Sequence, residues 1–139
     1  MLADELVKEI LQVVNILREQ DMGSLSGDTL SRLAVKLASY KASLGEHVAA
    51  AKKLAWDAEA EYYAARATEY DRLRNDGKGS TDAEELKRLG SQESFLAWNR
   101  AKHNEALINT LHKDCHDLID GIKSRLIHLQ SEMKESNVY

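Results

Sequence analysis

The 139-residue chain contains no proline, and this absence constrains its fold more than any other sequence feature. Proline lacks the backbone N–H that a helix needs and clashes with the preceding turn, so a proline-free chain is able to form unusually long helices. Glycine-containing linkers interrupt the helical pattern at two places, near residues 21–28 and 75–80. The sequence therefore predicts an all-α protein with two short linkers.

Apolar residues at helical spacing predict helices over residues 3–20, 28–74 and 81–135, within a single helical domain covering residues 1–139. The second helix carries a heptad pattern and, at about 1.5 Å per residue, would be about 70 Å long. These lengths predict a short N-terminal helix followed by a long antiparallel helical hairpin. Because one chain does not cover stripes of this length by itself, we expect assembly into an oligomeric helical ring or bundle.

Each long helix carries one predicted contact stripe. The stripe of the second helix consists of Leu30, Leu33, Leu37, Tyr40, Leu44, His47, Ala51, Leu54, Ala58, Tyr62 and Ala65. The stripe of the last helix consists of Leu86, Leu89, Leu96, Leu107, Leu111, Cys115, Leu118, Ile122, Leu126, Leu129 and Met133. Thr81-Asp82-Ala83-Glu84 is typical of a capping box and predicts where the last helix begins.

Charge is unevenly distributed along the chain, whose formal net charge is −4. Residues 28–56 contain 5 basic and 2 acidic residues, whereas residues 57–85 contain 4 basic and 9 acidic residues. Acidic residues also stand at the N-terminus, where a signal peptide has basic ones, and no apolar run has the length of a membrane span. We therefore expect an intracellular protein without membrane association.

His112, Cys115 and His116 place two imidazoles and a thiol within about one helical turn, a spacing that zinc is able to use. The sequence offers no evident third and fourth ligand, and Cys115 lies on the apolar stripe as a small hydrophobic residue. The glycine-containing linker at 75–80 lacks the Walker spacing and follows a helix rather than a strand. We therefore expect no metal, no cofactor and no enzymatic activity.

Aromatic residues interleave with basic ones in the second half of the long helix. Single-strand binders stack bases on aromatic rings and hold phosphates with Lys and Arg. The alternative is that the rings pack between helices. The aromatic candidates are Trp56, Tyr62, Tyr63, Tyr70 and Trp98, with Lys52, Lys53, Arg66, Arg72 and Arg74 as the neighbouring basic residues.

Two segments carry a resemblance to a known family. The first is Ala50-Ala51-Lys52-Lys53-Leu54-Ala55 followed by Glu61-Tyr62-Tyr63, and the second is Asp114-Cys115 followed by Leu118-Ile119-Asp120-Gly121-Ile122-Lys123-Ser124-Arg125. With these segments in this order, the chain resembles the UvsY recombination mediators of T4-like phages over roughly residues 40–130. Its length and its helix–turn–helix order are also similar to that family.

The resemblance implies a ring-like homo-oligomer without catalytic activity, in the cytoplasm of an infected bacterial host. It would bind single-stranded DNA, displace the single-strand-binding protein and help load a RecA-like recombinase. Lys52 and Lys53 would contact phosphates, with Tyr62 or Tyr63 stacking, while the segment from Ile122 to Arg125 would form the subunit interface or line the DNA path. The implied DNA-binding residues are Lys52, Lys53, Tyr62, Tyr63, Arg66, Lys123 and Arg125.

The chain departs from this family at Asp57 and Glu59, where family members can carry basic residues. Carboxylates at these positions repel phosphate, so the basic role would have to fall on the lysines and arginines already named. The acidic segment 57–85 favours an alternative function. In that alternative, the chain is a non-enzymatic helical scaffold or a phage-encoded inhibitor that docks on another protein and does not bind DNA.

Overall fold

The computed structural model describes residues 3–138, and the side chains of residues 4–136. In that range it contains α-helices and one single-turn 3-10 helix but no strand, which confirms the predicted all-α fold. The helices are α1 (Ala3–Glu19), the 3-10 helix (Met22–Ser24), α2 (Gly27–Asn75), α3 (Ser80–Gly90) and α4 (Gln92–Val138). Met1, Leu2 and Tyr139, which the predicted domain includes, lie outside the described residues.

The chain divides into two compact units, which we call the first unit and the second unit. The first unit comprises residues 3–47 and 108–138 of the described chain, and the second unit comprises Val48–Leu107. Helices α2 and α4 contribute to both units, whereas α1 belongs to the first and α3 to the second. The prediction of a single domain stays a prediction.

The first unit packs α1 against the first part of α2 and the last part of α4. The two long helices are antiparallel here, because Gly27 lies beside the Leu126 side chain while Lys41 bonds to His116. Leucine at every seventh position of α2 is fully buried, as a heptad pattern predicts. The buried apolar residues of this unit are Leu6, Ile10, Val13, Val14, Leu17, Leu30, Leu37, Leu44, Ile108, Leu111, Cys115, Ile119 and Ile122.

The second unit packs the last part of α2 against α3 and the first part of α4, also in antiparallel fashion. Tyr62 contacts Trp98, whereas Tyr70, two turns later in α2, lies beside Lys87 of α3. At the close approach of α2 and α3, a side chain added at Gly90 would overlap the Glu69 side chain. The buried apolar residues are mostly small in this unit: Ala51, Ala55, Leu73 and Ala83.

The predicted stripe of α2 holds in the first unit and shifts in the second. Leu54 was predicted to lie in the stripe, but its side chain is 60% exposed and Ala55 is buried instead. The seven-residue series Leu30, Leu37, Leu44 and Ala51 stays buried, so the repeat itself continues into the second unit. At the companion position of the heptad, Leu54 faces outward and Ala55, one turn after Ala51, is buried in its place.

The stripe of the last helix was predicted correctly only in part. Leu111, Cys115 and Ile122 are buried, but Leu89 and Met133 are 70% and 65% exposed. Leu96 and Leu107 are also exposed, while Ile108 and Ile119, which lie outside the predicted stripe, are buried. The predicted stripe has intervals of 3, 4, 7 and 11 residues and crosses the break at Ser91, so its members do not share one continuous helical face.

The predicted last helix, 81–135, is two helices in the structure, separated at Ser91. The Ser91 hydroxyl donates a 2.7 Å hydrogen bond to the Lys87 carbonyl oxygen, to which the Ser91 backbone N–H also donates. A serine that bonds back to the carbonyl four residues earlier competes with the helix ladder and bends it. This backbone bond is a local effect that apolar periodicity does not reveal.

The helix starts also differ in how well they were predicted. Ser26 caps α2, with its hydroxyl oxygen accepting a 3.1 Å hydrogen bond from the Thr29 N–H. The predicted capping box at Thr81–Glu84 is wrong, because α3 begins at Ser80 behind Gly79 without a side-chain cap. Glu84 instead forms an ion pair with Lys87, which draws its carboxylate away from the N-terminal N–H groups.

Candidate nucleic-acid interface

Four aromatic rings form one cluster in the second unit, which we call the aromatic cluster: Tyr62, Tyr63, Phe95 and Trp98. Tyr62 lies at its centre and stacks on Trp98, with ring centroids 5.3 Å apart and an interplanar angle of 27°. The Tyr62 ring is tilted against Tyr63 and Phe95, with centroid separations of 5.4 Å to each. Helical spacing produces the cluster, because Phe95 and Trp98 are three residues apart on α4.

Much of this aromatic surface faces solvent. Tyr63 is 52% exposed and Phe95 is 40% exposed, whereas Tyr62 and Trp98 are half-buried. Each of the two predictions therefore describes part of the cluster. Tyr62 and Trp98 pack between helices, whereas Tyr63 and Phe95 are available for stacking. A base is able to approach Tyr63 and Phe95 without unfolding of the helices.

Basic side chains lie over the faces of the aromatic rings in the second unit. The Arg66 guanidinium lies 5.4 Å from the Tyr62 ring centroid, and the Lys102 ammonium lies 4.3 Å from that of Trp98. Lys52 covers Trp56 at 4.9 Å in the same manner. Such cation–π contacts hold positive charge beside the rings, where a phosphate linked to a stacked base would lie.

The two lysines of the predicted pair, Lys52 and Lys53, make different contacts. The Lys53 ammonium donates a 2.8 Å hydrogen bond to the Asp57 carboxylate, which raises the pKa of Lys53. Lys52 makes no ion pair with a described carboxylate and lies over the Trp56 ring. Asp57 therefore neutralises one of the two lysines, and Lys52 is the better placed of the pair for a phosphate.

Lys123 and Arg125 belong to the first unit and take no part in the contacts of the aromatic cluster. Lys123 is exposed, and one Arg125 terminal nitrogen donates a 3.4 Å hydrogen bond to the Gly23 carbonyl oxygen. The Arg125 Nε atom is shielded from solvent and has no hydrogen-bond partner in the described chain. The structure thus brings together Tyr62, Tyr63 and Arg66 of the predicted DNA-binding residues.

Sequence reasoning missed Phe95 and Lys102 as members of the site. A signal was present, because Phe95, Trp98 and Lys102 recur at three- and four-residue spacing and therefore share one helical face. What the sequence did not show is that this face of α4 lies against Tyr62 of α2. That contact depends on the register of the two helices.

Four of the nine acidic residues of segment 57–85 form ion pairs: Asp57, Glu69, Asp76 and Glu84. The Arg72 guanidinium bonds to Glu69 at 2.5 Å, which lowers the pKa of Glu69, and to Asp76 at 3.0 Å. Lys87 pairs with Glu84 and lowers the pKa of the Glu84 carboxyl in the same manner. These pairs offset only part of the negative potential that a phosphate would meet in this segment, because the other five acidic residues form no ion pair with a described residue.

The thiol and the two imidazoles considered for metal binding lie in the first unit. Cys115 is fully buried, and burial raises the pKa of its thiol to about 11, which leaves it protonated and weakly nucleophilic at neutral pH. His116 lies between Lys41 and Asp120, with 2.8 Å and 3.3 Å contacts. Among residues 3–138, no group of three or more His, Cys, Asp or Glu side chains is arranged to hold a metal ion.

Comparison with protein-family models, curated proteins and solved structures found no match to this chain. The resemblance to UvsY mediators therefore stays a prediction from the two sequence segments. Between residues 3 and 138, no helix combines the length and apolar character that crossing a bilayer requires.

Proposed function

We propose that this chain is a phage recombination mediator that binds single-stranded DNA. It acts as a homo-oligomer in the cytoplasm of the infected bacterial host, displaces single-strand-binding protein and helps load a RecA-like recombinase. The recombination role is supported by the sequence resemblance alone. The DNA-binding role has a second, independent support in the geometry of the second unit.

The observation that carries the DNA-binding role is the aromatic cluster with basic groups on its ring faces. Sequence-independent single-strand binders combine exposed rings, on which bases stack, with positive charge that follows the phosphates. Tyr63 and Phe95 supply exposed ring surface, and Arg66 and Lys102 supply the charge beside it. Lys52 adds a further positive charge in the same unit.

The homo-oligomer is supported by apolar side chains that the second unit leaves uncovered. Leu54 and Leu89 are 60% and 70% exposed, and both lie on helices whose predicted stripes called for a partner. Burying such side chains against a second copy removes apolar surface from water, which stabilises association by about 25 cal/mol per Å². An oligomer also multiplies the modest positive charge of one chain along a DNA strand.

Fluorescence anisotropy with a labelled oligo-dT strand tests the DNA-binding role. We expect the wild-type protein to bind, with affinity falling steeply between about 50 mM and about 200 mM salt, because phosphate neutralisation releases counterions. Tyr63→Ala should weaken binding, whereas Tyr63→Phe, which keeps the ring, should preserve it. Absence of binding at the lower salt concentration would refute the DNA-binding role.

The exposed leucines also favour the second candidate, a helical scaffold or phage-encoded inhibitor that does not bind DNA. In that case Leu54, Leu89 and their neighbours form the surface that meets a protein partner. Light scattering combined with the anisotropy titration separates the two functions. A multi-subunit assembly that binds oligo-dT supports the mediator, and a DNA-inert monomer or dimer supports the scaffold.

A further inference from the structure

A small cavity lies beside the aromatic cluster in the second unit. It is lined by Tyr62, Arg66, Arg88, Gln92 and Phe95, and its volume is about 320 Å³. That volume is near the lower end of the range for small-ligand pockets, about 300 to 1,000 Å³. The lining combines two aromatic rings, two guanidinium groups and one amide, so it is able to recognise a planar group and an anion at the same time.

The two arginines of this cavity carry positive charges that no described carboxylate neutralises in an ion pair. Neither Arg66 nor Arg88 forms an ion pair with a carboxylate of the described residues. The Glu84 carboxylate, whose pKa both arginines help to lower, pairs with Lys87. Both arginines line the cavity, so their guanidinium charge is available to an anion that enters it.

Phosphate is the acceptor that fits these groups best. Arginine presents a planar fork of N–H donors that matches two phosphate oxygens, and two arginines at one cavity are able to share one phosphate. The Tyr62 and Phe95 rings meet at a centroid separation of 5.4 Å on the wall of the same cavity. Tyr62 already stacks on Trp98 and lies beneath Arg66, so the ring available to a base is Phe95, which is 40% exposed. The Gln92 amide offers one donor and one acceptor group to the base edge.

We propose that this cavity binds one nucleoside monophosphate unit, with the phosphate at Arg66 and Arg88 and the base against Phe95. The ligand class rests on the proposed binding of single-stranded DNA. In that function, the pocket would anchor one nucleotide of the strand. A free nucleotide presents the same chemistry, so the two sources have to be distinguished by experiment. Arg88 and Gln92 become binding residues that neither the sequence segments nor the ring contacts assigned.

The experiment titrates thymidine monophosphate and oligo-dT separately into the full-length protein. Tryptophan fluorescence reports on the site, because Trp98 stacks on Tyr62 of the cavity wall. The test variant is Arg88→Ala, since Arg88 is exposed and its removal should leave the helices intact. Arg100→Ala is the matched control, because Arg100 is also an exposed arginine of the second unit but does not line the cavity. Circular dichroism verifies that both variants remain helical.

We expect saturable binding of thymidine monophosphate by the wild type and by Arg100→Ala. Arg88→Ala should weaken it roughly 10- to 100-fold, the usual consequence of losing a charged hydrogen-bond pair. Thymidine without phosphate should bind far more weakly than its monophosphate. Inorganic phosphate should compete only at much higher concentration, because it lacks the ring contact.

The outcomes separate this proposal from the proposed function. Binding of oligo-dT that Arg88→Ala does not change, together with no binding of thymidine monophosphate, overturns the pocket and leaves the mediator function standing. Binding of thymidine monophosphate that depends on Arg88, without binding of oligo-dT, supports the pocket and overturns the single-strand function. Competition by inorganic phosphate as strong as that by the nucleotide overturns the assignment of a nucleotide.

Discussion

In the first unit, aliphatic side chains from three helices enclose one another, whereas the second unit buries mainly alanine. Leu37 and Ile122 of the first unit are completely buried, while Trp56 and Leu89 of the second are 61% and 70% exposed. The first unit also exposes large apolar side chains, such as Val35 at 71%. Large buried side chains dominate the favourable free energy of folding. The first unit therefore holds most of the core, while exposed apolar side chains occur in both units.

This difference also separates the two sets of candidate functional residues. The aromatic cluster and the pocket of Arg66 and Arg88 lie in the second unit, where α2 and α4 meet through rings and small residues. Lys123 and Arg125 lie in the first unit, where the same two helices meet through leucine and isoleucine. Alanines at Ala51 and Ala55 let the helices approach while occupying little of the surface, which leaves the rings beside them accessible.

The largest effect that we expect comes from truncating the core of the first unit. Leu37→Ala should lower the free energy of unfolding by about 2 to 5 kcal/mol, because it leaves a cavity among fully buried neighbours. Leu54→Ala in the second unit, on the same helix, should change it by no more than about 0.5 kcal/mol in protein diluted until the proposed homo-oligomer dissociates, because Leu54 is exposed in the single chain. Urea denaturation followed by circular dichroism measures both. Equal losses in the dissociated protein would contradict the exposure of Leu54 in the single chain.

A smaller effect is expected on DNA binding when the central ring of the aromatic cluster is removed. Tyr62→Leu, which keeps apolar bulk, should cost about 1 to 3 kcal/mol in oligo-dT affinity because stacking is lost. Lys123→Ala in the first unit should leave the affinity nearly unchanged if the strand follows the second unit. Anisotropy titration measures the oligo-dT affinity of both variants. A larger loss of affinity for Lys123→Ala would show that the DNA-binding surface lies in the first unit.

Removing a hydroxyl near a helix start should destabilise the protein in the first unit but not in the second. The expected loss in the first unit is similar in size to the loss of DNA-binding free energy given above. Ser26→Ala removes the side-chain cap of α2 in the first unit and should destabilise the protein by about 0.5 to 2 kcal/mol. Thr81→Ala should have little effect, since Thr81 does not cap α3. Thermal unfolding of the two variants side by side tests the contrast. A loss at Thr81 as large as that at Ser26 would restore the capping box that the sequence predicted.

The smallest expected effect is a difference in acid sensitivity. Arg72 and Lys87 hold the pKa values of Glu69 and Glu84 below the ordinary value of 4.5, so the unfolded state binds protons more readily than the folded one. Stability from these pairs is present above about pH 4.5 and is lost as the pH falls through the lowered pKa values. Both tryptophans, Trp56 and Trp98, lie in the second unit, so fluorescence during an acid titration reports on it.

Glu69→Gln supplies the control for this acid titration. It removes one of the two titrating carboxyls and should make the fluorescence transition less steep in pH. Arg72 would lose its closest ionic partner but would keep Asp76 at 3.0 Å. An unchanged transition would show that the ion pairs of the acidic segment contribute nothing measurable to the second unit, which is common for exposed pairs.

The sequence was most informative where local rules act alone. The missing prolines and the apolar spacing depend on neighbours within a few residues, and these features produced the helices nearly as predicted. Apolar spacing also placed Leu30, Leu37 and Leu44 on one buried face. The rule failed at Leu54, which faces outward while the neighbouring Ala55 is buried.

The candidate site was predictable by residue type but not by arrangement. Tyr62, Tyr63 and Arg66 were singled out from the sequence, and the structure places them together with Phe95 and Lys102. The break at Ser91 and the pairing of Lys53 with Asp57 were not predicted, although both involve residues four apart. A serine or lysine has several possible partners at that distance, and the backbone geometry selects among them.

The sequence by itself determined an all-α chain, its two linkers and the alternation of apolar and polar faces, because helix formation depends on contacts within one or two turns. Only the tertiary structure decided which face of α4 meets α2. That contact stacks Trp98 on Tyr62, and the fold also places Arg66 and Arg88 on the wall of one cavity. Register between two helices is fixed by the best packing among many similar alternatives. Small buried residues of α2 such as Ala51 and Ala55 let α4 approach closely, and this contact forms only when both helices are present.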